Sequence, residues 1–222
     1  MLDLGVGKTT FALQVSENIL RKGRSVAFIS LEMSEEQIIT KMISRLARIN
    51  ASKIRNGDLN DDEILKIAQA SGKINEYKFT ILTKCRTIQQ IEIAAKKLKS
   101  RNKLDLLVID YLQLVKNSGN FTNREQQVAD ISRTLKLLSL DLEIPIIALC
   151  QLNRNAAKAV PTMADIRESG SIEQDADNII FLYAQSEDSN IVNVDLQKQR
   201  AGNTGILKIK FNKGNSEFVN FV

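Results

Sequence analysis

The sequence predicts an α/β fold in which a mostly parallel sheet is flanked by helices and antiparallel strands are added toward the C-terminus. Short apolar runs at Val26–Leu31, Phe79–Leu82, Leu104–Ile109 and Pro145–Cys150 alternate with amphipathic stretches. These runs show little polar alternation, as expected of parallel strands covered on both faces. From Asn178 onward only strand-like segments remain: Asn178–Leu182, Ile191–Gln197, Ile206–Phe211 and Phe218–Val222. Their short separations predict antiparallel additions at one side of the same sheet, without a second domain.

The helices have local causes. A stretch from Thr9 to Arg21 precedes Gly23 and the first apolar run. Ser34 with Gln37 forms a capping box for a helix to about Arg48. Residues 50–60 read as a link, ended by Asn60 as an N-cap with Asp61, Asp62 and Glu63 complementing the dipole of a helix reaching Lys73. Thr87 with Gln90 caps a helix whose Ile88, Ile91, Ala95 and Leu98 share one face. A polar loop with Asn117, Gly119 and Asn120 leads to a helix from Arg124 to Leu140.

Composition narrows the function classes. The 222 residues, 43% hydrophobic with only two prolines, suffice for one domain over 1–222 with a sizeable core. Two cysteines argue against a disulfide scaffold and for a reducing compartment or simply no redox role. Apolar runs are too short to span a bilayer and no basic-then-apolar leader opens the chain, so a cytoplasmic protein without membrane association is expected. Zero histidines exclude a histidine metal site, a Ser-His-acid triad and a histidine general base. The balance of 31 basic against 26 acidic residues, 31 − 26 = +5, permits a nucleic-acid partner without demonstrating one.

The candidate chemistry begins at Gly5-Val6-Gly7-Lys8-Thr9-Thr10. A phosphate loop needs glycines so that backbone N–H groups can turn toward phosphate. It also needs a lysine for the β/γ oxygens and a hydroxyl residue for Mg²⁺, at the start of a helix. Leu2 stands where the full motif has its first glycine, and Met1–Leu4 is too short for the strand that normally launches the loop. Three strand ends add to this remnant: Glu32 after the first run, Asp110 after the third and Gln151 after the fourth. Each alone is equally consistent with a solvated end-of-strand residue. Together they form a set in which Asp110 orients Mg²⁺, Glu32 aligns a water as general base, and Gln151 reads the γ-phosphate.

The chain resembles the C-terminal RecA-like motor domain of DnaB-type replicative DNA helicases. The resemblance rests on Gly7-Lys8-Thr9, Ser30-Leu31-Glu32-Met33-Ser34, Val108-Ile109-Asp110-Tyr111-Leu112-Gln113-Leu114 and Gln151-Leu152-Asn153-Arg154. It rests most on the long runs Asp165–Asp177 and Lys198–Gly205. It implies a RecA-like P-loop NTPase core using ATP and Mg²⁺, with Gly5, Gly7, Lys8, Thr9, Thr10 and Asp110 holding them. Further implications are six motor domains in a ring around single-stranded DNA, 5′-to-3′ translocation, and a primase or helicase loader as further partner. Glu32 is then the base, Gln151 the sensor, and Lys198 and Arg200 act in trans, with Arg200 as the arginine finger. Arg167, Glu168 and Gly170 would contact DNA through its backbone, independently of base sequence. A polar turn over 198–205 after an edge-type strand suits presentation to a neighbour. The shortened phosphate loop leaves a second class open: a non-catalytic or weakly catalytic partner that regulates a complete helicase.

Overall fold

Strands β1 (Val26–Ser30), β2 (Phe79–Leu82), β3 (Leu106–Asp110) and β4 (Ile146–Ala148) form a sheet of order β2-β1-β3-β4, parallel at every ladder. The computed structural model describes residues 6–117, 119, 121, 123–152, 160–166, 169–184, 186 and 189–221. The helices are α1 (Lys8–Leu20), α2 (Glu35–Ala47), α3 (Ala51–Asn56), α4 (Asp61–Glu76), α5 (Ile88–Lys99), α6 (Arg124–Leu142) and α7 (Ser169–Asp175).

The pleat sorts the core into two layers. Val26, Phe28, Leu106 and Val108 pack with Leu13 of α1, Ile38 and Met42 of α2 and Ile74 of α4. Their neighbours Ala27, Ile29, Leu107 and Ile109 face the other way, onto Ile91 of α5 and Ile131 and Leu135 of α6. Successive side chains of a strand point to opposite faces, so an unbroken apolar run is what a doubly covered strand requires. The two expected capping boxes form, at Ser34/Gln37 and Thr87/Gln90, and Asn60, expected as an N-cap, forms one as well with Glu63. A buried ion pair between Glu17 of α1 and Arg45 of α2, with Arg21 also on Glu17, fastens these two helices.

Three expectations are corrected. Strands β5 (Asn178–Ala184), β6 (Ile191–Gln199), β7 (Gly205–Asn212) and β8 (Glu217–Asn220) form their own antiparallel sheet, β5-β6-β7-β8, and do not extend the first one. No ladder joins β4 to β5 among the described residues; Ile179 and Phe181 of β5 instead bury their side chains in the layer beneath β3. Strand β6 lies between β5 and β7 and continues through Gln199, so Lys198 belongs to an inner strand and only the residues beyond Gln199 make the turn. The link after Asn50 contains α3, because the Asn50 carboxamide accepts from Ser52 N–H and starts a short helix with no buried face.

Candidate functional site

Strand β1 connects to β2 on one side, and β2 then crosses to β3 on the other side of β1. The direction of winding reverses there, so the carboxyl ends of β1 and β3 border a crevice of the kind in which open α/β sheets bind ligands. Ser30 and Asp110 face each other at that end, and Leu31 N–H donates to the Asp110 carbonyl at 2.8 Å. The structure thus sets Asp110 beside Leu31, the residue that precedes Glu32. Asp110 is buried and accepts from Thr9 Oγ1 at 2.7 Å. That bond ties the first turn of α1 to the tip of β3.

Gly7 is the N-cap of α1, at φ 83°, with no side-chain cap and no acid in the first turn. A Cβ at this position would lie 2.8 Å from Phe211 Cζ and 3.0 Å from Phe218 Cζ. Both the left-handed backbone and the close approach of β7 and β8 therefore call for glycine. The first N–H groups of a helix have no intrahelical acceptor, so an uncapped, acid-free start is suited to an anion. Burial pushes the Cys150 thiol up to about 12, with the Lys8 charge acting against it. The Lys8 charge is therefore within electrostatic reach of Cys150, two residues beyond β4. Cys85 and Cys150 are both free. Gly5 lies outside the described residues.

Glu32 is exposed, in a turn closed by Ser30, whose Oγ donates to the Met33 carbonyl at 2.7 Å and accepts from Met33 N–H at 3.1 Å. Thr10 is buried beside Thr9. Lys41 of α2 has its pKa lowered by burial, then by Arg55, while Asp110 acts in the raising direction. Sequence reading missed this lysine; it sits mid-helix with no motif around it. Gln151 lies three residues beyond the end of β4, its N–H and carbonyl both bonded to the side chain of Gln113. Sequence reading did not single out Gln113 either, although it lies within the motif running on from Asp110.

Lys198 and Arg200 lie at the C-terminal end of α7. Lys198 Nζ donates to the Glu173 carbonyl, and Arg200 pairs with Asp177 at 2.9 Å. The Lys136 ammonium, bonded to Asp177 at 2.6 Å, holds that carboxyl below the usual carboxylate range, with Arg200 and Lys198 adding to the effect. The Arg200 side chain is 60% exposed. Gly170 is exposed near the other end of α7, with open space around its Cα. Arg167 and Glu168 lie outside the described residues.

Among the described residues there is no group of three or more His, Cys, Asp or Glu side chains that could cage a metal. Thr9 with Asp110 offers one hydroxyl and one carboxylate, a set suited to Mg²⁺, which usually keeps waters or substrate phosphate as its other ligands. No described helix is long and apolar enough to cross a membrane.

The family of DnaB-like helicase C terminal domains matches residues 4–220. The replicative DNA helicase DnaB of Geobacillus stearothermophilus is 41% identical over 227 residues, covering 97% of this chain and 50% of that protein. The replicative DNA helicase DnaC of Bacillus subtilis is 40% identical, again over 97% of this chain and 50% of that protein. The chain thus spans about half the length of the curated relatives it matches. Among solved structures, a DnaB-like replicative helicase, described with its interactions with primase, superposes with a TM-score of 0.92 at 34% identity, covering 98% of this chain and 55% of that one. A separately solved ATPase domain gives 0.91 at 34% identity, covering 98% and 82%. On this agreement of sequence and RecA-like P-loop NTPase fold along nearly its whole length, the chain belongs to the DnaB-like helicase C-terminal domain family.

Proposed function

We propose that residues 1–222 form one motor domain that hydrolyses ATP between subunits of a hexameric ring and moves 5′-to-3′ on single-stranded DNA. The observation that carries this reading is the Thr9–Asp110 bond, which sets an uncapped helix start against a buried acid at the switch point. Gly5, Gly7, Lys8, Thr9 and Thr10 would receive the phosphates, and Thr9 and Asp110 would hold Mg²⁺. When bound, the ion neutralises phosphate charge. Glu32, free at its turn, takes the proton of the attacking water, while Gln151 senses the γ-phosphate by its carboxamide. Lys198 and Arg200 serve the neighbouring subunit's nucleotide; the exposed Arg200 guanidinium can leave Asp177, since such surface pairs are worth only ~0.2–1 kcal/mol. Arg167, Glu168 and Gly170 grip the DNA backbone. Primase or a helicase loader is the proposed further partner, in keeping with the solved relative described with primase. The cytoplasm is the proposed location.

Mixing two variants tests the shared site. Glu32→Gln should keep ATP binding while lowering kcat by about 10²-fold or more. Mixed with Arg200→Ala protein in the presence of DNA, it should recover hydrolysis at boundaries where an intact Glu32 meets an intact Arg200. Mixed hexamers confirmed by mass photometry yet no more active than the separate variants would remove the trans assignment.

A further inference from the structure

We infer that Gln113 is a positioning residue for Gln151, a clamp that sets the sensing carboxamide in the same frame as Asp110. This rests on the reading of Gln151 as the γ-phosphate sensor. Gln113 lies in the single 3-10 turn, Leu112–Leu114, that follows β3. Backbone bonds carry the β3–β4 pairing just past the strands: Leu149 N–H donates to the Ile109 carbonyl at 2.9 Å, and Leu112 N–H to the Leu149 carbonyl at 2.8 Å. There the chain of β3 turns away, and a side chain takes over. Gln113 Oε1 accepts from Gln151 N–H at 3.1 Å, and Gln113 Nε2 donates to the Gln151 carbonyl at 3.2 Å.

An amide flipped end for end would set donor against donor and acceptor against acceptor, so the pair admits one orientation. The clamp holds only the backbone of Gln151, and its carboxamide stays available to a phosphate. Gln113 is itself braced, since its carbonyl accepts from the Arg124 guanidinium of α6, which also reaches Gln127. On the far side, Leu152 forms an antiparallel bridge with Ile166, which is 4% exposed. The residue after Ile166 in the sequence is Arg167, proposed to contact DNA. The Asp110 end of β3, the sensor and the base of the DNA segment thus share a short line of bonded residues. Shifting Gln151 by a fraction of an ångström would move its carboxamide off the phosphate, and misplacement on the ångström scale can cost about 10²-fold in rate.

The test uses the complete natural polypeptide carrying these residues. Gln113→Leu keeps similar bulk and deletes both bonds. Gln113→Glu keeps the acceptor for Gln151 N–H but sets a carboxylate against the Gln151 carbonyl. Hydrogen exchange at the Gln151 amide should speed up by about 10-fold or more in Gln113→Leu and much less in Gln113→Glu. In both variants kcat on single-stranded DNA should fall by about 10-fold while the KM for ATP stays within about 3-fold. In a Gln151→Ala background, Gln113→Leu should cost little more, because the group it positions has gone. Unchanged amide exchange in Gln113→Leu would overturn the clamp. Losses that multiply in the double variant, or equal falls with and without DNA accompanied by a lower Tm, would reduce Gln113 to a structural residue. If Gln151→Ala alone hydrolyses ATP at the parental rate, the sensor reading fails, and the kinetic role of Gln113 fails with it even if the amide is protected.

Discussion

Every residue of β1 and β3 is buried, whereas along β7 only Ile209 and Phe211 are. The parallel sheet is covered by helices on both faces and can address a ligand only where its strands end, at Glu32, Asp110 and Gln151. The antiparallel sheet buries Phe211 and Phe218 against Phe11 and leaves Ile206 and Leu207 about 60% exposed. It carries Lys198 and Arg200 on a hairpin instead of at a covered strand end. The two sheets thus divide the proposed work: one assembles a nucleotide site within the subunit, the other offers groups to a site outside it.

The largest expected effect breaks that division at its outward end. Arg200→Ala should lower DNA-stimulated hydrolysis by about 10³-fold or more, as for arginine fingers elsewhere, with nucleotide binding in the same subunit retained. Phosphate release and a labelled-nucleotide titration on the same preparation measure both. Next comes a pair of truncations. Ile109→Ala, at 0% exposure in the parallel core, should cost about 2–5 kcal/mol, whereas Ile206→Ala on the open face of β7 should stay within about 0.5 kcal/mol by urea unfolding. Comparable losses would show that the outer face of the antiparallel sheet is covered.

Gly7→Ala sharpens the comparison where the two sheets meet. The new methyl must either displace Phe211 and Phe218 or move the start of α1, at a cost of about 1–3 kcal/mol, and ATP affinity should fall as well. Thermal melts with and without Mg²⁺-ATP separate the two effects. The smallest effect concerns Asp177. Its carboxyl is held below the unfolded value of about 3.9. The Lys136 and Arg200 pairs therefore stabilise the fold above that pH, and their contribution is lost as pH falls through the depressed pKa. With the carboxylate side chain 44% exposed, Asp177→Asn should cost only about 0.2–1 kcal/mol at pH 7. The difference from the parent should close in acid melts.

The parallel half was the more legible in the sequence, because its signals are local. Ser34, Asn60 and Thr87 each meet their N3 partner within one helical turn, and uninterrupted apolar runs mark doubly covered strands. The antiparallel half was legible as strands but not as a separate sheet, since pairing partners depend on contacts distant in sequence, such as Phe181 against the β3 layer. Within the proposed site, Asp110 and Glu32 were suggested by their positions at strand ends. Gln113 was not, since its partner is the backbone of a residue 38 positions away, and a backbone group has no sequence signature. The same holds for Lys41, whose relation to Asp110 arises only when α2 packs beside β3.

Gln14 makes a second amide contact of the same form, with a different consequence. From α1 it donates Nε2 to the Phe218 carbonyl at 2.7 Å and accepts Phe218 N–H on Oε1 at 2.8 Å. Strand β8 ends its sheet, and an edge strand with unpaired backbone groups is a template for another chain to add to. By occupying both groups of Phe218, Gln14 interrupts the row of bonds such a strand would need. In the proposed ring, where copies would stand side by side at high local concentration, one route to edge-to-edge aggregation is thereby closed by a single side chain.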